Sequence, residues 1–187
     1  MEEGPASWTT AAWAVSRCIG HSARMLARRE VHLPRAWVGR TVHFGDSTCG
    51  RVYRETAVAA RLAHPCVLDV CFRLRGVRSL GHVLFEWESL LNTPLFVGFP
   101  GFGTKLWIAH DAHGTYRGIY EWDGADLAVA YARSLWRVLQ LVSVPGSIHY
   151  RVLPDVRRED LLVTVGDGVH RPVGPAARDW WDIVGVS

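Results

Sequence analysis

Stretches of two-residue alternation, broken by two stretches of helical period, fill residues 65–154 and restrict the fold more than any other feature of the chain. An apolar run over 66–74 sets Leu68, Val70, Phe72 and Leu74 on one face and Asp69, Cys71 and Arg73 on the other. After Gly81, Leu84, Trp87 and Leu91 fall on one stripe at helical spacing, which predicts a helix over 81–91. Pro94 ends that element, because it lacks a backbone donor and disfavours α geometry in Thr93. Alternation returns over 102–110 and 115–122, on either side of the turn His110-Asp111-Ala112-His113-Gly114. A second helix is predicted over 124–142, with Asp123 as its N-cap and Asp126 in its first turn. It turns Leu127, Ala128, Tyr131, Leu135, Val138 and Val142 inward. Pro145-Gly146 breaks it, and a last strand runs over 147–153.

The order β-α-β-β-α-β is that of a split βαβ unit, so the expected class is α+β with a ferredoxin-like sheet. Two amphipathic helices need one apolar sheet face to cover. Strict alternation builds that face from Leu68, Val70, Phe72, Leu106, Ile108, Tyr116, Tyr120, Trp122, Ile148, Tyr150 and Val152. It leaves Asp69, Arg73, Lys105, Trp107, Arg117, Glu121, His149 and Arg151 on the opposite face, exposed or covered by a second copy. Residues 1–64 read as an N-terminal extension and 155–187 as a C-terminal tail. Within the extension, 1–12 are expected to be disordered. Residues 13–30 suit a helix, interrupted by Gly20 and basic at Arg24, Arg28 and Arg29. Alternation over 37–44 and 51–59, around a turn cluster at 45–50, predicts a β-hairpin. It serves as an edge extension or as an arm toward another subunit.

Composition removes several functional classes. The net charge of +3 is small and dispersed, which argues against a nucleic-acid partner. Cys18, Cys49, Cys66 and Cys71 form no CxxC and no zinc-type spacing, so reduced thiols and a cytoplasmic setting are expected. No apolar run reaches the ~18 residues of a membrane span. Acids at Glu2 and Glu3 and the lack of an apolar core speak against a signal peptide. Nine Trp in 187 residues suit an apolar pocket or interface.

The chain contains no GxSxG, P-loop, GxGxxG or HExxH motif. His110 and His113 flank Asp111 with no further ligand nearby in sequence, so no metal or cofactor is expected. The candidate pocket lies between the helices and the apolar face, lined by Phe72, Trp87, Tyr116, Trp122, Tyr131 and Tyr150. Gly118 leaves a gap between Tyr116 and Tyr120 that suits a planar ligand. Tyr120 is the candidate donor to a phenolate or enolate oxygen, and His82 or His149 the candidate general base. The competing reading is that the same rings simply pack as core.

Three groups of residues also carry a resemblance. They are Phe99-Pro100-Gly101-Phe102 followed by Lys105-Leu106-Trp107, then Gly118-Ile119-Tyr120-Glu121-Trp122, then Ala128 with Tyr131-Ala132. Over residues 65–154 the chain resembles the dimeric α/β-barrel superfamily, and within it the antibiotic-biosynthesis-monooxygenase-like proteins. That resemblance implies a homodimer in which two four-stranded sheets face each other, with helices outside and a ligand between sheet and helices. It implies, for some members, oxidation of aromatic or polyketide substrates without metal or flavin; others are isomerases or bind haem. Two functions follow. One is a cofactor-independent enzyme of secondary metabolism acting on a hydrophobic aromatic or polyketide-like molecule, as monooxygenase or cyclase/isomerase. The other is a non-catalytic small-molecule-binding or assembly protein.

Overall fold

The computed structural model describes residues 4–76, 93–166 and 179–187. The helix predicted over 81–91, with His82 and Trp87, lies outside them. The chain opens with helix α1 (Trp8–Ala27), then strands β1 (Val31–His32), β2 (Thr41–Phe44), β3 (Cys49–Val58) and β4 (Pro65–Arg73). A 3-10 turn over Thr93–Leu95 precedes β5 (Phe102–Ile108) and β6 (Thr115–Asp123). Helix α2 (Ala125–Gln140), strand β7 (His149–Pro154), helix α3 (Arg158–Gly166) and strand β8 (Ile183–Val186) follow.

Among the described residues the strands form one antiparallel sheet in the order β7-β4-β6-β5-β3-β2-β8, with β1 on the end of β3. Its β7-β4-β6-β5 portion is the arrangement that a split βαβ unit produces, so the chain is α+β with a ferredoxin-like core. The hairpin of β2 and β3 is an edge extension, because β3 pairs with β5. The C-terminal segment joins the same sheet, since β8 pairs with β2. No described helix is long and apolar enough to cross a membrane.

Local chemistry explains where the boundaries depart from expectation. Helix α1 begins at Trp8, inside the stretch expected to be disordered, because the Ser7 hydroxyl accepts the Thr10 N–H at 3.1 Å and caps it. Gly20 does not interrupt it. Asp123 is not the cap of α2. Its carboxylate accepts the His64 N–H at 2.7 Å, and Gly124 takes the N-cap position without a side-chain bond. Helix α2 buries Ala128, Tyr131, Ala132, Ser134 and Leu139, while Leu127 and Val142 stay exposed.

One irregularity changes which residues share a face. The pairing of β5 with β6 shifts between Phe102 and Thr104, so Phe102 faces Trp122 but Lys105 faces Tyr120 and Trp107 faces Gly118. A bulge of this kind inverts the alternation beyond it. Lys105 and Trp107 therefore point toward the helices, and Leu106 and Ile108 point away, the reverse of the sequence reading. The helix-side core contains Leu68, Val70, Phe96, Phe102, Trp107, Tyr120, Trp122, Tyr131 and Tyr150. A second core on the far face gathers Val42, Val52, Val67, Leu106, Ile108, Ile119 and Leu162. The middle of the polar face expected to meet solvent or a second copy, around Asp69, Arg117 and Glu121, is covered by the chain's own C-terminal segment, with Arg158 and Leu162 buried over it, while Arg73 and Arg151 stay exposed.

Candidate active site

The bulge carries Lys105 into the helix-side core. In register across the sheet it stands between Thr56 on β3 and Tyr120 on β6, and it is 7% exposed. Its Nζ lies 3.1 Å from the centroid of the Trp107 ring, 4.6 Å from that of Tyr120 and 4.7 Å from that of Phe96. Trp107 is held in place by its Nε1–H, which donates to Thr56 Oγ1 at 3.1 Å, and by an edge contact with Phe96 at 5.3 Å. Arg54 sits beyond the same indole, its guanidinium 5.2 Å from the ring, and donates to Thr93 Oγ1 at 2.6 Å. Glu55 and Glu121, which neighbour Lys105 in register, point to the far face.

Burial, seconded by the Arg54 guanidinium, holds the Lys105 amine well below its usual range. That shift favours the free amine over the ammonium, and Nζ stands against three ring faces. Two phenols complete the site. The Tyr131 hydroxyl donates to the Tyr120 hydroxyl at 3.4 Å, and burial raises both pKa values, so both stay protonated. An amine of lowered pKa, two buried phenols and a guanidinium bonded to Thr93 stand around one aromatic cluster. That set can accept a proton from an acidic substrate and stabilise the resulting oxyanion.

The structure brings together Tyr120, Trp122 and Tyr131 as expected, with ring centroids 5.5 Å apart for Tyr120–Tyr131 and 4.7 Å for Trp122–Tyr131. Phe72 and Tyr116 share the face but stack with each other at 5.9 Å, four residues along the strand from Tyr120. Tyr150 packs against Trp136 near the edge of the sheet. The gap expected at Gly118 is filled, because a Cβ there would meet Tyr120 Cε2 at 2.8 Å. His149 does not join Tyr120. Tyr150 points to the helices, so its neighbour in β7 points to the far face, opposite Cys71, with its ring 6.2 Å from that of Trp180. Asp111, between His110 and His113, accepts Arg117 Nη1–H at 2.8 Å and the backbone N–H groups of His113 and Thr115. Two clefts lie apart from Lys105, one of ≈ 260 Å³ beside Trp136 and Ser143 and one of ≈ 290 Å³ between α1 and Gly98–Pro100.

Periodicity alone missed Lys105, because strict alternation assigns it to the polar face. A different signal marks it: it is the only lysine among the 21 Lys and Arg residues of the chain. A chain that uses arginine at every other basic position places its one lysine in an aromatic core.

No family model matches the chain, and no curated protein matches it. Among solved structures it is similar to an uncharacterised ferredoxin-fold protein related to antibiotic biosynthesis monooxygenases from Listeria monocytogenes 4b F2365, at 13% identity over 59% of this chain and a TM-score of 0.42. It is similar also to a monooxygenase-like protein from Listeria innocua, at 12% identity over 59% of this chain and a TM-score of 0.41. An anthrone oxidase-like protein matches at 11% identity over 59% of this chain, with a TM-score of 0.39. The chain spans 66% of the length of the first two structures and 55% of the third.

Proposed function

We propose that this protein is an enzyme that binds a hydrophobic aromatic or polyketide-like small molecule on the helix side of the sheet and moves a proton on it, as a cyclase or isomerase does. The observation that carries this reading is the buried Lys105 amine among Trp107, Phe96 and Tyr120, its pKa held down by burial. An amine in this state suits the abstraction of a proton from a phenol, an enol or a carbon beside a carbonyl. Arg54 and the Tyr120 hydroxyl suit the oxygen on which charge then develops. Monooxygenase chemistry shares this first step, because deprotonation makes an electron-rich phenol or enol reactive toward dioxygen. A homodimer belongs to the same proposal, joined outside the part of the far face that Arg158 and Leu162 cover, and native mass spectrometry of fresh protein reads subunit number and retained ligand together.

A specific observation favours the non-catalytic alternative. The Tyr120 ring fills the space over Gly118, and Trp122 and Tyr131 close against each other, as in a plain core. Hydrogen exchange of 2-tetralone in deuterated water separates the two readings. The enzyme reading expects the wild-type chain to speed exchange beside the carbonyl by roughly 10²-fold or more over Lys105→Met, the scale of general base catalysis. Equal exchange with the two proteins would leave only binding.

A further inference from the structure

We propose that Lys105 also acts as a nucleophile and carries its substrate as an imine, which makes an aromatic aldehyde or ketone the substrate class. The inference rests on the reading of the site given above and goes beyond proton transfer to a covalent step. Its grounds are placement and company. Nζ is enclosed by Phe96, Trp107 and Tyr120, with the Arg54 guanidinium on the same sheet face. Among the described residues no carboxylate shares an ion pair or hydrogen bond with Nζ. An apolar enclosure with a second cationic group nearby is the environment that frees a lysine lone pair for attack on a carbonyl. An aromatic carbonyl compound that displaces part of this packing meets ring faces on three sides of Nζ, and Arg54 suits an oxygen substituent on it.

The step balances with the groups present. The Nζ lone pair adds to the carbonyl carbon, and the C=O π pair moves to oxygen, which takes a proton. The nitrogen of the resulting carbinolamine loses a proton. The hydroxyl, protonated in turn, leaves as water while the C=N bond forms. Nothing is oxidised or reduced. Tyr120 and Tyr131, linked hydroxyl to hydroxyl, hold the protons that the oxygen needs on its way out. Hydrolysis of the imine by the reverse path returns the amine.

Because Lys105 is the only lysine, the experiment is unusually clean. The full chain, Lys105→Met and Lys105→Arg are each incubated with 2-naphthaldehyde at pH 7.4 and reduced with borohydride, then read by intact and peptide mass. An ordinary lysine is about 0.1% unprotonated at that pH, so a neutral amine is expected to label up to roughly 10³-fold faster. The expected result is one reduced adduct per chain, on the peptide containing Lys105, absent from both variants. Label confined to the N-terminal amine, or no label above that of Lys105→Met, overturns the imine. If 2-tetralone exchange still depends on Lys105 in that case, the residue is a base and the earlier reading stands. If exchange is lost as well, both fall.

Discussion

Asp69 sits at the centre of β4, 3% exposed, with neither carboxylate oxygen hydrogen-bonded. Burial raises its pKa to about 8, opposed by Arg117 and reinforced by Asp182. The unfolded chain releases this proton near pH ~3.9, so between there and about pH 8 the folded state binds more protons than the unfolded state. Stability from this group is therefore greatest in acid, falls as pH rises through that window, and is flat above it. The full fall is on the order of 5 kcal/mol. Asp69→Asn keeps the shape and removes the titration. Melts at pH 5 and pH 8.5 are expected to show the wild type losing on the order of 10 °C relative to Asp69→Asn, given the usual ~2–4 °C per kcal/mol for a chain of this size. Parallel pH profiles would contradict the burial of a lone carboxyl. Arg117, on the same face, shows the opposite solution, since it is matched at 2.8 Å by both Asp46 and Asp111.

Helix α1 reaches the core by a close approach at Gly98. A Cβ there would meet Ser22 N at 2.7 Å and the Cys18 carbonyl oxygen closer still. Around that contact, Ser22 Oγ–H and the Cys18 thiol donate to Pro94 O, and His21 Nδ1 lies 3.0 Å from Gly98 O. Gly98→Ala is expected to push α1 off, cost about 1–3 kcal/mol as overpacking does, and speed tryptic cleavage after Arg17 and Arg24. Unchanged cleavage would mean that the helix is held elsewhere. At this scale the sequence was informative where periodicity is local: β4, β6, α2 and β7 all follow from it. It was silent where a partner decides. The bulge in β5 exists only against β6, so Leu106 read as helix-side and Lys105 as surface. The docking of α1 depends on one glycine far away in sequence. The alternation of His149 with Tyr150 puts it on the far face, where the structure has it, and so already separates it from the Tyr120 it was paired with as a base.

The molecule as a whole is a sheet with two different cores. The helix-side core is aromatic and holds a lone amine. The far core is mostly aliphatic with buried ion pairs, Arg158 to Glu55 at 2.7 Å among them, under the chain's own C-terminal segment. Burying a lysine among rings costs stability, a cost that natural chains bear at sites of function, and the state of that amine is the claim on which the reading of the site depends. A solitary lysine makes the claim directly measurable. Protein grown on lysine labelled with carbon-13 at Cε gives one signal from the whole chain, and its shift reports the charge on Nζ. The expected result is a neutral amine at pH 7 whose titration falls well below the ordinary 10.5. A midpoint near 10.5 would contradict the account, because it would make Lys105 an ammonium with no chemistry to offer.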